Sequence, residues 1–157
     1  MRSVSTLHRL ASALIVACAL TACGTDDPAP APTAPPTKAS VVGTAPQDSP
    51  EKLFAEFVTR LSKVDGPGTC SLFTEGGVVA FEDEWQETPC DLVVTKAAGR
   101  IKDLAAFAGK TTPKSVIKDS DTVVELSGCD VGGMKALKSD KGWLIDAYRG
   151  PSSVSGC

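Results

Sequence analysis

The 157-residue chain carries 16 lysines and arginines against 19 aspartates and glutamates, a formal net charge of −3. That length suits one domain with an appendage and not comfortably two. No two basic residues are adjacent and His8 is the single histidine, which excludes a cationic face for nucleic acid and, beyond His8, every Ser-His or Cys-His nucleophile.

Arg2 and Arg9 precede an apolar run from Leu10 to Leu20. The run is too short to span a bilayer, which takes roughly 20 apolar residues. A basic start, a short apolar run and a small-residue exit mark a removable secretory signal. The run closes on Leu20-Thr21-Ala22-Cys23, and polar Gly24-Thr25-Asp26-Asp27 follows. This arrangement resembles bacterial lipoprotein signals. The resemblance implies diacylglycerol on the Cys23 thiol and cleavage in front of it. Residues 1–22 would then leave, taking His8 and Cys18 with them, and 14 basic and 19 acidic side chains would remain. Each buried acyl methylene contributes about 0.8 kcal/mol, so the chain is expected to stay on the extracytoplasmic face of the cell membrane. The alternative is an ordinary secreted protein cut elsewhere, with Cys23 incidental.

Residues 23–48 hold the Pro/Ala-rich stretch Pro28-Ala29-Pro30-Ala31-Pro32 and no large apolar side chain. Such a segment buries too little apolar surface to offset the entropy of ordering. Its proline density predicts an extended tether of about 3 Å per residue.

A folded domain is expected over residues 49–157. Ser49-Pro50-Glu51 has the form of a helix start, with a hydroxyl cap, proline in the first turn and an acid at the positive end. Phe54, Phe57, Val58 and Leu61 follow at i, i+3, i+4 and i+7, one apolar helical face. Gly66-Pro67-Gly68 predicts a break. A short helix is expected from Thr69 to Glu75, ended by Gly76-Gly77. The cluster Glu82-Asp83-Glu84 with Glu87 brackets Trp85 and is expected as a solvated acidic loop; it lacks the pattern of a calcium loop. Trp85 within it is either an exposed anchor or folds onto the core. Thr88-Pro89-Cys90-Asp91 starts another helix, running to Gly99, and a short one is expected over residues 102–108.

The period then turns strand-like. Strands are expected at residues 115–118, 122–128, 134–138 and 143–148, with a tight turn at Ser139-Asp140-Lys141-Gly142. On the last strand Trp143, Ile145 and Ala147 are expected on one face, and Asp146 and Tyr148 on the other, outward one. Helices followed by an antiparallel meander predict an α+β fold.

Four cysteines remain in the domain: Cys70, Cys90, Cys129 and Cys157. None forms a Cys-x-x-Cys pair and no histidine accompanies them, so neither a zinc site nor any other metal site is expected. An even count in an exported domain reads as structural disulfides. Three pairings exist; the local pair Cys70–Cys90 and Cys129–Cys157 is preferred. A redox thiol pair is the alternative, without the close spacing it needs.

A first helix with two phenylalanines, a cysteine-linked middle and paired strands ending in Gly142-Trp143-Leu144-Ile145-Asp146 resemble the NTF2-like, cystatin-like α+β cone. The resemblance is strongest to small exported actinobacterial lipoproteins and covers about residues 49–149. It implies a curved sheet wrapped around a helix, often with an apolar cavity. Phe54, Phe57, Val124, Leu126, Trp143 and Ile145 are the candidate lining, or else plain core. Ketosteroid isomerase shares the fold and uses a tyrosine of its first helix as oxyanion donor; here that helix offers only Phe54 and Phe57. An acid beside Tyr148, either Asp146 or Glu125, is the candidate for an enzymatic alternative. The preferred reading is a non-catalytic binding or interaction module for a small apolar ligand or an envelope protein. An isomerase- or dehydratase-type enzyme and a structural accessory lipoprotein are the alternatives. No cofactor is implied.

Replacing Cys23 by alanine should release the protein into the medium; retention on the membrane would contradict the anchor.

Overall fold

The computed structural model describes residues 43–156. Cys23, the signal, most of the tether and Cys157 lie outside the described residues.

Helix α1, Pro50–Ser62, begins as its sequence predicts: the Ser49 side chain accepts from the Lys52 N–H at 3.2 Å, with proline in the first turn. Its face of Leu53, Phe54, Phe57, Val58 and Leu61 is buried. The first helix ends before Gly66-Pro67-Gly68 as expected, and those residues open α2, Gly66–Cys70, because Asp65 caps it by accepting from the Gly68 N–H at 3.0 Å. Residues 71–73 do not continue helically, as the Thr69–Glu75 expectation required; Phe73 bridges to Ile145 instead.

The largest departure is α3, Glu75–Trp85. Gly76-Gly77 does not stop a helix but sits in the first turn of one. Thr74 caps it, accepting from the Gly77 N–H at 3.0 Å. A Cβ on Gly77 would lie 2.1 Å from the Ile145 carbonyl oxygen, so glycine is what lets α3 lie directly on the sheet. The acidic residues Glu82, Asp83 and Glu84 therefore belong to a helix, not a loop. Helices α4, Cys90–Gly99, and α5, Leu104–Ala108, follow near their expected places, and Asp103 caps α5.

Four strands form one antiparallel meander: β1 Ser115–Lys118, β2 Val123–Gly128, β3 Gly132–Ser139 and β4 Gly142–Arg149, in sheet order β1-β2-β3-β4. The β3–β4 turn closes on Gly142 at φ +137°, a conformation side chains rarely adopt. Val124 and Leu126 face inward as expected. On β4 strict alternation fails. Lys135 pairs with Ala147 but Ala136 pairs with Ile145, leaving Asp146 as an extra residue. Such a bulge shifts the side-chain phase of everything beyond it. Trp143 and Ile145 point inward before it; after it Tyr148 turns inward and Ala147 does not, the reverse of the expectation.

The edges of the sheet differ. Beside β4, Gln47 and Trp143 exchange backbone hydrogen bonds at 2.9 and 2.7 Å, and the Ile145 N–H donates to the Leu72 carbonyl at 2.9 Å. The fold thus begins before residue 49, since residues at the end of the expected tether line this edge. Strand β1 forms the opposite edge, with all four residues exposed.

The core between α1, α3, α4 and the inner sheet face is aromatic at its centre. Phe73 stacks on Phe81 at 4.9 Å, and Phe81 meets Tyr148 edge-on at 4.9 Å. A disulfide, Cys70–Cys90, ties α2 to α4. Cys129 is also disulfide-bonded, and its expected partner Cys157 lies outside the described residues.

The Cys70–Cys90 bridge closes a separation of 20 residues. Replacing both by alanine should cost about 3 kcal/mol, or about 10 °C of Tm, measured by calorimetry. An unchanged Tm would show that the bridge constrains nothing.

Candidate binding site

A cavity of about 460 Å³ opens where the ends of four helices meet the sheet. Each wall arrives there for a local reason. Helix α3 ends at Trp85 because Gln86 adopts the left-handed conformation, φ 49°, and turns the chain away. Helix α4 ends at Gly99, and Arg100 and Ile101 turn across its last carbonyls, donating to Ala97 and Ala98. Phe107 of α5 is anchored in the core and supplies another wall. The β2–β3 connection brings Val131, and β4 brings Tyr148. The Tyr148 hydroxyl donates to the Val131 carbonyl at 2.7 Å, which pins that connection to β4.

Five of the fifteen lining residues are charged: Arg100, Lys102, Asp103, Lys110 and Asp130. The Arg100 guanidinium lies over the Trp85 ring, 5.0 Å from its centroid, a cation–π contact. Lys110 pairs with Asp130 across the rim, linking the segment after α5 to the β2–β3 connection. Asp103 accepts from the Ala106 N–H at 2.9 Å as a helix cap. The Trp85 Nε1–H is buried with no hydrogen-bond partner. Trp85 acts on the Tyr148 phenol in the direction that favours the phenolate. Burial acts in the opposite sense and dominates: loss of hydration, reinforced by the nearby Glu84 carboxylate, pushes the Tyr148 phenol well above its ordinary range.

The six residues expected to line a pocket lie together in the core, and Phe54 and Leu126 each reach the wall of a smaller hollow elsewhere. Phe54, Phe57, Val124, Leu126, Trp143 and Ile145 all belong to the buried core, and none of them lines this cavity. Phe57 has the Phe73, Phe81 and Tyr148 rings within 5.7–6.2 Å, so its surroundings are filled. The acids named beside Tyr148 do not meet it. Asp146 accepts from the Thr74 hydroxyl at 2.9 Å, and Glu125 lies 3.9 Å from Arg149. Trp85 proves half-buried against the core rather than an exposed anchor. Of the acidic residues around it, Glu84 accepts from the Gly150 N–H at 2.8 Å and Glu87 pairs with Lys96.

The cavity residues Arg100, Ile101, Phe107 and Val131 were not foreseen. Val78, Phe81 and Trp85 at i, i+3 and i+7 are the helical signal in the sequence that places Trp85.

Comparison of the chain with known protein families, curated proteins and solved structures finds no match.

Tyr148 is the chain's single tyrosine, so its ionisation can be followed by absorbance near 295 nm. Its folded pKa is raised above the unfolded value of about 10. The stability this contributes is therefore full below about pH 10 and falls as pH rises beyond it. Phenolate should appear only as the chain unfolds; a folded chain titrating at the ordinary value would contradict the burial of Tyr148.

Proposed function

We propose that this chain is a lipid-anchored, extracytoplasmic binding module, built on an NTF2-like cone and held off the membrane by its Pro/Ala-rich tether. Cys23 and the signal before it support the anchor. The Cys70–Cys90 disulfide supports an oxidising compartment. The helices-then-meander order, with α1 packed beneath a four-stranded sheet, supports the cone.

The observation that carries the reading is the cavity. At about 460 Å³ it falls in the range of small-ligand sites, which are mostly apolar with a few placed polar groups. Leu61, Ala97, Ile101 and Phe107 supply the apolar walls. The module carries or presents a small, largely apolar molecule and does no chemistry on it.

A second reading, an envelope protein partner, is favoured by β1. Val116 and Ile117 are 47% and 54% exposed on an open sheet edge, where another strand can add.

Native mass spectrometry of the chain purified from its own envelope tests the first reading. A reproducible additional mass, lost on denaturation, is expected. A bare mass from every preparation would overturn carriage and leave the partner at β1.

A further inference from the structure

We infer that the ligand of this cavity is a small amphipathic monocarboxylate, its apolar body between Ile101 and Phe107 and its carboxylate on the guanidinium of Arg100. The inference rests on the binding reading and names what that site selects.

The described residues include three arginines, Arg60, Arg100 and Arg149. Arg60 pairs with Glu56 and Arg149 with Glu125. Arg100 has no ion pair and no side-chain hydrogen bond among the described residues, although carboxylates are close at hand. Both acids of the cavity lining have other partners: Asp130 pairs with Lys110 on the same lining, and Asp103 caps the first turn of α5. Lys102, beside Arg100 on the lining, also has no carboxylate partner among the described residues. A chain with more acids than bases thus leaves two cations without counter-charge at the mouth of an apolar hollow.

Arg100 is also positioned. Its place over Trp85, 5.0 Å from the ring centroid, limits where the guanidinium can go, and its fork of N–H groups has no hydrogen-bond partner among the described residues. That fork matches a carboxylate, and its order before binding reduces the entropy lost on binding. The indole Nε1–H of Trp85 is shut inside the wall, so the unpaired donors at the mouth, among the described residues, are the Arg100 guanidinium and the Lys102 ammonium, and of these only the guanidinium is held by an aromatic contact. The volume suits a small molecule, whereas a peptide helix is about 10 Å across before it is seated.

Octanoate and octan-1-ol, which share an apolar body and differ in the head, are the probes. Their binding is measured by calorimetry on the full-length Cys23→Ala chain, which removes the membrane that would absorb both. Octanoate should bind about tenfold tighter than octan-1-ol. Arg100→Gln should remove most of the advantage of octanoate over octan-1-ol, and Arg100→Lys should retain more of it. Arg100 is exposed, so the variants should fold, and circular dichroism checks this. Equal affinity of the two probes for the unmodified site would overturn the carboxylate and leave the binding reading standing. Loss of both probes together in Arg100→Gln would also overturn it, as an effect on the walls. Binding of neither probe at millimolar concentration would overturn the inference and the binding reading with it.

Discussion

The seat of α3 on β4 is the contact from which the rest of the domain follows. The chain of α3 approaches the Ile145 carbonyl so closely that a Cβ on Gly77 would sit 2.1 Å from its oxygen. Thr74 fastens the same place three ways. Its N–H donates to the Ile145 carbonyl at 2.8 Å, its Oγ1 accepts from Gly77, and its hydroxyl donates to Asp146. With the helix held there, Phe81 one turn on enters the core between Phe73 and Tyr148. A fully buried phenylalanine contributes about 3 kcal/mol at most from area alone. One further turn brings Trp85 to the helix end, where it walls the cavity and carries Arg100. Lifting α3 by the width of a methyl group would open the aromatic centre and displace that wall.

The bulge at Asp146 is the sheet's half of the same arrangement. The extra residue lets Asp146 reach Thr74 while rotating Tyr148 into the core. Tyr148 then spans the interior, with its ring against Phe57 and Phe81 and its hydroxyl on the Val131 carbonyl at the cavity's edge. The helix seat, the bulge and the buried phenol form one connected structure, and the cavity lies at its end. The chain before α1 seals the β4 edge through Gln47.

Local signals were legible in the sequence; the site was not. Helix α1 needed only its Ser49 cap and the spacing of Phe54, Phe57, Val58 and Leu61, all within one helix. The four strands and the turn at Gly142 could be read from alternation and turn chemistry, as could the Cys70–Cys90 pairing from its short separation. What failed depended on partners distant in sequence. Gly76-Gly77 has the form of a stop, because what makes Gly77 useful is a carbonyl 68 positions later on β4. Ala147 and Tyr148 exchanged faces because a bulge has no mark in a single strand's alternation. The cavity is a gap between the ends of elements, and no periodicity describes a gap. Its chemical marker, an arginine without a carboxylate partner among the described residues, can be recognised only once the carboxylates around it are seen to be engaged.

Thermal unfolding of Gly76→Ala against Gly77→Ala tests the helix seat most directly. The two glycines are neighbours in the same first turn. A Cβ on Gly76 would find only the Thr74 hydroxyl, at 3.9 Å, whereas one on Gly77 meets the sheet backbone. Gly76→Ala should be neutral or stabilise by about 0.4–1 kcal/mol, the usual gain where alanine fits. Gly77→Ala should destabilise by about 2 kcal/mol or more, in the range of overpacked interiors, with loss of near-ultraviolet dichroism from the aromatic centre. If both substitutions prove equally harmless, α3 does not rest on β4 through Gly77, and the placement of Trp85 and of the cavity it walls is wrong.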